Sequence, residues 1–184
     1  AVSGTSASGV VVSPRRSAST PSSALDSKAP DAAPSSTANR GRGRKIRHIG
    51  LDTLTADQLE QALSLTGIAS VQNRFNLLDR SSDAVLRVCE AHGLAFLPWF
   101  PLADGALTGE AGAALTGVAD RHGATRGQIA LAWLLHRSPV LCPTPGTGSP
   151  VHLTENMGAR EVRLSAEDMS LLEGLASARR TRPA

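Results

Sequence analysis

From Ile46 onward, short apolar runs alternate with segments that open on helix-starting signals, and this alternation restricts the fold more than any other feature. Ile46–Leu51 suits a buried strand. Thr55 with Gln58 forms a capping box, and Leu59 and Leu63 give the helix behind it an apolar face. Ile68–Gln72 reads as the next strand. Ser82 caps a helix whose Val85, Leu86 and Cys89 share a side, and Gly93 ends it. Leu94–Trp99 is a third strand, closed by Pro98 and Pro101. A helix over Ala113–His122 ends at Gly123. Thr125 and Gln128 form a second capping box, which opens the apolar helix Ile129–His136. Val140–Cys142 is the last strand. Ser149, with Pro150 at the first helical position, starts one more helix. Ser165 with Asp168 starts the final one, which carries Met169, Leu172 and Leu175. The order β-α-β-α-β-α-α-β-α-α predicts an α/β fold, a parallel sheet of right-handed βαβ units. About four strands amount to half of a (β/α)₈ TIM barrel, which takes roughly 250 residues. The predicted body is therefore a partial barrel over residues 46–178, about the last four βα units, with a flexible C-terminus at 179–184.

Residues 1–45 have a different texture. They hold seven Lys+Arg and two Asp, whereas the remaining residues hold 12 Arg, 14 Asp+Glu and no lysine. The overall charge of +3 thus belongs to the tail, and the body is slightly acidic. The basic pI is no argument that the body binds nucleic acid. Rich in Ser, Ala and Pro and without periodicity, the tail is expected to be disordered, because it cannot bury enough apolar surface to offset its ordering entropy. Its basic end, Arg40–Lys45, reads either as a hook for nucleic-acid phosphates or as a solvated linker, and the linker is the reading preferred. The composition also loosely fits a transit peptide. No apolar stretch suits a signal peptide or a membrane helix, and the expected location is cytoplasmic.

Several chemistries are excluded outright. The sequence contains no tyrosine, so no phenol acts as acid or nucleophile. Cys89 and Cys142 have no second thiol at zinc-ligand spacing, and no metal site is expected. Metalloprotease, nucleophile-elbow and P-loop motifs are absent. His92, His122 and His136 each fall near a helix C-terminus, where the helix dipole favours a cation.

Two places remain where a ligand fits. Pro143–Pro150 is a Gly-, Pro- and Ser-rich loop that runs into a helix, a position suited to an anion or to an ordinary strand-to-helix turn. Phe96–Leu102 places aromatics at the C-terminal end of a strand, where parallel α/β folds bind ligands and where a hydrophobic rim is the alternative. Gln72 closes a strand otherwise apolar, and Trp133 reads as core.

With these residues placed, the body resembles the C-terminal half of an aldo-keto reductase over roughly seven-tenths of the chain. The resemblance rests on the order and spacing of Ser70–Asp79, His92–Ala103, Ala130–Leu135, Pro143–Thr147, His152–Asn156 and Leu164–Met169. It implies a (β/α)₈ barrel that passes hydride from NADPH to aldehydes and ketones. By the same resemblance Gln72 holds the nicotinamide carboxamide and Trp99 stacks beneath the nicotinamide ring. Leu102 and Ala103 lie along the pyrophosphate. Gly146 and Thr147 begin the segment for the adenosine 2′-phosphate, His152 stands at its usual arginine position, and Glu155 and Asn156 meet the adenine. Carbonyl substrates are the other implied partner.

The sequence departs from that pattern in ways that matter. Asp52-Thr53 replaces a Ser-Asn pair that helps hold the carboxamide. Gly146 replaces a lysine facing the 2′-phosphate, so NAD stays open beside NADP. The family's tetrad is Asp, Tyr, Lys and His from the first four strands, and Tyr is the general acid. Here there is no Tyr, and the only lysines are Lys28 and Lys45. No catalytic residue can be assigned. The expectation is a truncated family member, arising as a gene fragment, a frame error or a fusion, that is inactive alone. Two exposed sheet edges would invite self-association. A non-enzymatic nucleotide-binding or oligomerising module is the alternative.

Overall fold

The computed structural model describes residues 9–14, 46–103 and 109–180. Strand β1 is Gly9–Pro14 and β2 is Ile46–Asp52. Then come α1 (Ala56–Leu65), β3 (Ser70–Arg74), α2 (Asp83–His92) and β4 (Ala95–Trp99). Four helices complete the order: α3 (Gly109–His122), α4 (Arg126–Arg137), α5 (Pro150–Gly158) and α6 (Ala166–Arg180), with a 3₁₀ turn at Ala159–Glu161 before the last.

β2, β3 and β4 are parallel neighbours, as the βαβ pattern requires, with Asp52, Gln72 and Leu97 at one level of the sheet. Both capping boxes form, with Thr55 and Thr125 each exchanging hydrogen bonds with the Gln three residues on. Gly93 ends α2 at φ 64°, its N–H reaching back to the last turn. Ser165 and Asp168 exchange the same pair of bonds at the start of α6.

Strand side chains alternate between two environments. Val71, Phe75 and Phe96 join Leu59 of α1, Cys89 of α2, Leu115 of α3, Trp133 of α4 and Leu172 of α6 in one core. Phe75 sits at its centre, stacked on Trp133 at 6.0 Å and edge-on to Phe96 at 5.8 Å. Gln72, Leu97 and Trp99 point to the other side and are only half-buried. Among the described residues the helices thus cover one side of the sheet, and the C-terminal strand ends are open on the other.

Four expectations are corrected. Gly9–Pro14, inside the segment read as structureless, is a strand that pairs antiparallel with β2, from Gly9 opposite Asp52 to Pro14 opposite Ile46. The β-branched run Val10–Val12 supplies the strand propensity that the surrounding Ser/Ala composition hides. The outer edge of β2 is therefore paired and is not one of two open edges. Val140–Cys142 makes a single parallel bridge, Leu141 to Phe96, in place of a full strand. Phe96 N–H donates to Val140 and Cys142 N–H to Phe96, both at 2.8 Å, but Pro98 has no N–H with which to continue the ladder. Ser82 makes no capping bond to α2: its backbone, at φ −93° and ψ 15°, is not in the extended conformation of a side-chain cap, and its Oγ accepts from Asn73 Nδ2 at 3.2 Å. Helix α6 runs through Arg180, two residues past the expected end of the body. The remainder of the tail, with Arg40–Lys45, and the last four residues lie outside the described residues.

Candidate functional site

The strand ends are held by side chains that the β3 sequence places one after another. Asn73 is buried and closes the turn after β2, its Oδ1 accepting from Leu54 N–H at 3.2 Å and its Nδ2 donating to Leu54 O at 2.8 Å. That turn needs a left-handed residue, and Thr53 supplies it at φ 52°, its N–H bonded to Gln72 O at 2.9 Å. Asn76 does the same for the turn after β4. Its Nδ2 donates to Phe100 O at 3.1 Å, and its Oδ1 accepts from the N–H groups of Leu78 and Asp79. Phe100 and Ala103 stand at φ 61° and 53°, backbone strain that persists because these bonds over-determine it.

On this frame Gln72 and Trp99 project to the open side. Gln72 is level with Asp52 on one neighbouring strand and Leu97 on the other, and Trp99 is level with Arg74. Asp52 Oδ1 accepts from Thr53 Oγ1 at 3.0 Å. The Arg74 guanidinium lies 5.6 Å from the Trp99 ring centre and 4.5 Å from that of Phe100, its Nε paired with Asp79 at 2.8 Å. Burial would raise the Asp79 carboxyl, but hydrogen bonds from Ser81 and the nearby Arg74 charge outweigh it and hold the group below its ordinary value. Leu102 is half-buried near Gly127, and Ala103 is buried, its N–H donating to Phe100 O at 3.1 Å.

The second group of expected residues lies on the loop and helix that follow. Thr144 ties the loop to β4, its Oγ1 donating to Pro98 O at 3.1 Å, one residue before Trp99. Gly146 and Gly148 face open space, and neither has the left-handed φ for which glycine is usually needed. Thr147 Oγ1 accepts from Ser149 N–H at 3.1 Å, and Ser149 Oγ caps α5 through His152 N–H at 3.4 Å. With Pro150 lacking an N–H, the first turn of α5 has only the Val151 amide to spare. His152 is exposed, whereas Glu155 and Asn156 are half-buried. Gln72, Trp99, Leu102 and Ala103 therefore form one group at the strand ends. Gly146, Thr147, His152, Glu155 and Asn156 form another on the α5 segment, joined to the first through Thr144.

Sequence reasoning passed over Asn73, Arg74 and Asn76, and read Gln128 only as a capping residue. Asn76 had a legible signal, since an Asn followed by Asp at the third position often closes a turn on its own side chain. Arg74 had none, because its partners Trp99 and Phe100 arrive only through strand pairing. Among the described residues no cluster of three His, Cys, Asp or Glu could hold a metal, and no helix is long and apolar enough to cross a membrane.

The sequence profile of the aldo/keto reductase family matches residues 42–177. The chain belongs to this family. It is 44% identical over 128 residues to an uncharacterized oxidoreductase of Schizosaccharomyces pombe, covering 70% of this chain and 42% of that one. Pyridoxine 4-dehydrogenase of Escherichia coli is 42% identical over 130 residues, 71% of this chain and 45% of the relative. Among solved structures, a thermostable aldo-keto reductase in complex with the inhibitor epalrestat superposes with a TM-score of 0.68 at 36% identity, covering 71% of this chain and 49% of that one. A Klebsiella pneumoniae aldo/keto reductase in complex with NADP and acetate gives 0.65 at 29% identity, covering 72% and 49%. The chain thus spans less than half the length of these relatives.

Proposed function

We propose that residues 46–178 are the dinucleotide-binding half of an aldo/keto reductase barrel, and that these 184 residues bind a nicotinamide cofactor without reducing a carbonyl unaided. One observation carries the reading: in a chain of this family, Gln72 and a half-buried Trp99 share the open side of the sheet at its C-terminal strand ends. The nicotinamide end fits a cofactor well. Gln72 offers an amide that both donates and accepts, and Trp99 offers a planar face beside the Arg74 cation.

The phosphate end fits less tightly. It offers the Val151 amide, the hydroxyl of Thr147 and the exposed His152, with glycine where a lysine would stand. NADP by resemblance, with NAD as a weaker competitor, is the expected preference. A carboxylate at Asp52 accepts but does not donate, so half of the carboxamide's hydrogen bonding rests on Gln72 alone.

A bound reduced nicotinamide would supply a hydride to a carbonyl carbon. The carbonyl oxygen also requires a proton, and with no tyrosine in the sequence none of the described residues is assigned to give one. General acids contribute about 10²- to 10⁴-fold, so turnover falls by about that factor on this ground alone. The competing reading, a self-associating module, is weakened by β1, which pairs the edge of β2 that would otherwise recruit another strand.

Titrating the purified chain with NADPH while following tryptophan emission tests the proposal. Trp99 emission is expected to quench saturably, and Trp99→Leu is expected to lose that component while the buried Trp133 signal persists. Absence of saturable binding would reject the cofactor reading.

A further inference from the structure

Helix α5 buries none of its own side chains, yet it carries three of the residues assigned to the adenosine end. Its placement therefore depends on contacts made from outside. The one that reaches into its last turn comes from Gln128. This residue stands at the third position of α4, where the two ends of its amide have separate partners. Oε1 accepts from Thr125 N–H at 2.9 Å and the backbone N–H donates to Thr125 Oγ1 at 3.2 Å, which completes the capping box. Nε2 extends away from α4 and donates to Glu155 O at 2.9 Å.

That carbonyl is one of the orphans of a helix end. In a continuing helix it would accept from residue 159, but Ala159 N–H turns instead to Asn156 O. Gln128 thus satisfies a group that α5 cannot satisfy itself. The approach is close. A Cβ on Gly158 would lie 2.6 Å from Gln128 Nε2, so the amide passes through space that only glycine leaves empty. Immediately beyond, Ala159 is buried and fixes the following turn.

We propose that Gln128 is a positioning residue for the cofactor segment: its amide cross-links the cap of α4 to the last turn of α5 and so sets where His152, Glu155 and Asn156 stand. The inference rests on the dinucleotide reading for its ligand and on the geometry for its mechanism. Only an amide serves both ends. A carboxylate keeps the capping box but has no donor for Glu155 O. Gln128→Glu therefore releases α5 while leaving α4 capped.

The test is amide hydrogen exchange of the full chain and its variants, together with titrations of NADPH, adenosine 2′-phosphate and nicotinamide mononucleotide. In Gln128→Glu the amides of residues 153–158 are expected to exchange about 2- to 12-fold faster, the worth of one net hydrogen bond, with those of α4 unchanged. NADPH and adenosine 2′-phosphate are expected to bind more weakly by about the same factor, and nicotinamide mononucleotide equally well. Gly158→Ala provides an independent arm. Better helix propensity alone would slow exchange in α5, whereas crowding of the Gln128 amide is expected to speed it. Unchanged exchange and NADPH affinity in Gln128→Glu, or slower exchange in Gly158→Ala, would overturn the proposal. A wild-type chain that binds no NADPH rejects the cofactor reading instead. The exchange results then decide alone whether Gln128 fixes α5.

Discussion

Replacing Asn73 by Asp exchanges one group, the amide NH₂ for an oxygen, at the buried centre of the strand-end frame. Asn73 is 5% exposed, and its Nδ2 supplies the donor to Leu54 O at 2.8 Å and to Ser82 Oγ at 3.2 Å. A carboxylate keeps the bond from Leu54 N–H to Oδ1 but sets a second oxygen against the Leu54 carbonyl. The Ser82 hydroxyl can rotate to donate, so one contact is recovered and the other becomes repulsive. A buried acceptor left unsatisfied costs about 1–3 kcal/mol, and the confined charge adds to it, so the deficit at neutral pH is expected to be about 2–4 kcal/mol. The sign with pH follows from the same geometry. Burial and the facing carbonyl raise the folded-state pKa of the new carboxyl above its unfolded value of about 3.9. Its neutral form can donate to Leu54 O, so the variant's stability is fully present below the unfolded pKa and is lost as pH rises through the folded one. The deficit against wild type should therefore shrink by about 1.4 kcal/mol for each unit that pH falls between those two values. Asn73→Ala serves as the control, with a deficit of about 2–3 kcal/mol that does not vary with pH. Urea unfolding followed by tryptophan emission at several pH values measures all three proteins. A deficit in Asn73→Asp that is independent of pH, or below about 1 kcal/mol at neutrality, would refute the reasoning.

Other perturbations probe the rest of the frame. Glu173 pairs with Arg80 and accepts from Trp133 Nε1 at 3.2 Å, but its carboxylate is 37% exposed and Arg80 keeps the Leu77 and Leu172 carbonyls, so Glu173→Ala should cost about 1–2 kcal/mol by urea unfolding. Burial would raise the Asp168 carboxyl, but hydrogen bonds from Arg121, His122 and Ser165 outweigh it and hold the group well below its ordinary value. Its contribution is therefore present above the unfolded value of 3.8 and lost as pH falls below it, and Asp168→Asn should flatten the acid limb of wild-type unfolding. Burial and the neighbouring Glu90 push the Cys89 thiol up to about 12, whereas Cys142 is exposed. A thiol reagent at neutral pH should modify Cys142 alone in the folded chain, with Cys89 reacting only on unfolding.

What was legible in the sequence was what short-range physics controls. Thr55-x-x-Gln58 and Thr125-x-x-Gln128 fixed two helix starts, because both partners of a capping box lie within one turn. Gly93 fixed a helix end for the same reason. Trp133 was recognisable as core from the apolar run around it, though its pairing with Arg80 and Glu173 was not. Strand β1 was missed because its six residues sit in a Ser/Ala/Pro background and gain their stability from pairing with β2, more than 30 residues away. The bridge at Leu141 was overestimated because the residue that stops the ladder, Pro98, lies on the other strand. Within the candidate site, Gln72 and Trp99 stood out by residue type and strand position. Arg74, Asn73 and the second function of Gln128 depend on partners up to 27 residues distant in sequence, and no local pattern encodes them.

The proposed function is cofactor binding by this chain without the proton donor of its family. It is tested most directly by following NADPH absorbance with a panel of aromatic aldehydes, on a sample already shown to bind NADPH saturably. The account predicts binding without protein-dependent loss of absorbance. Saturable, protein-dependent consumption of NADPH that is retained on repurification would contradict it.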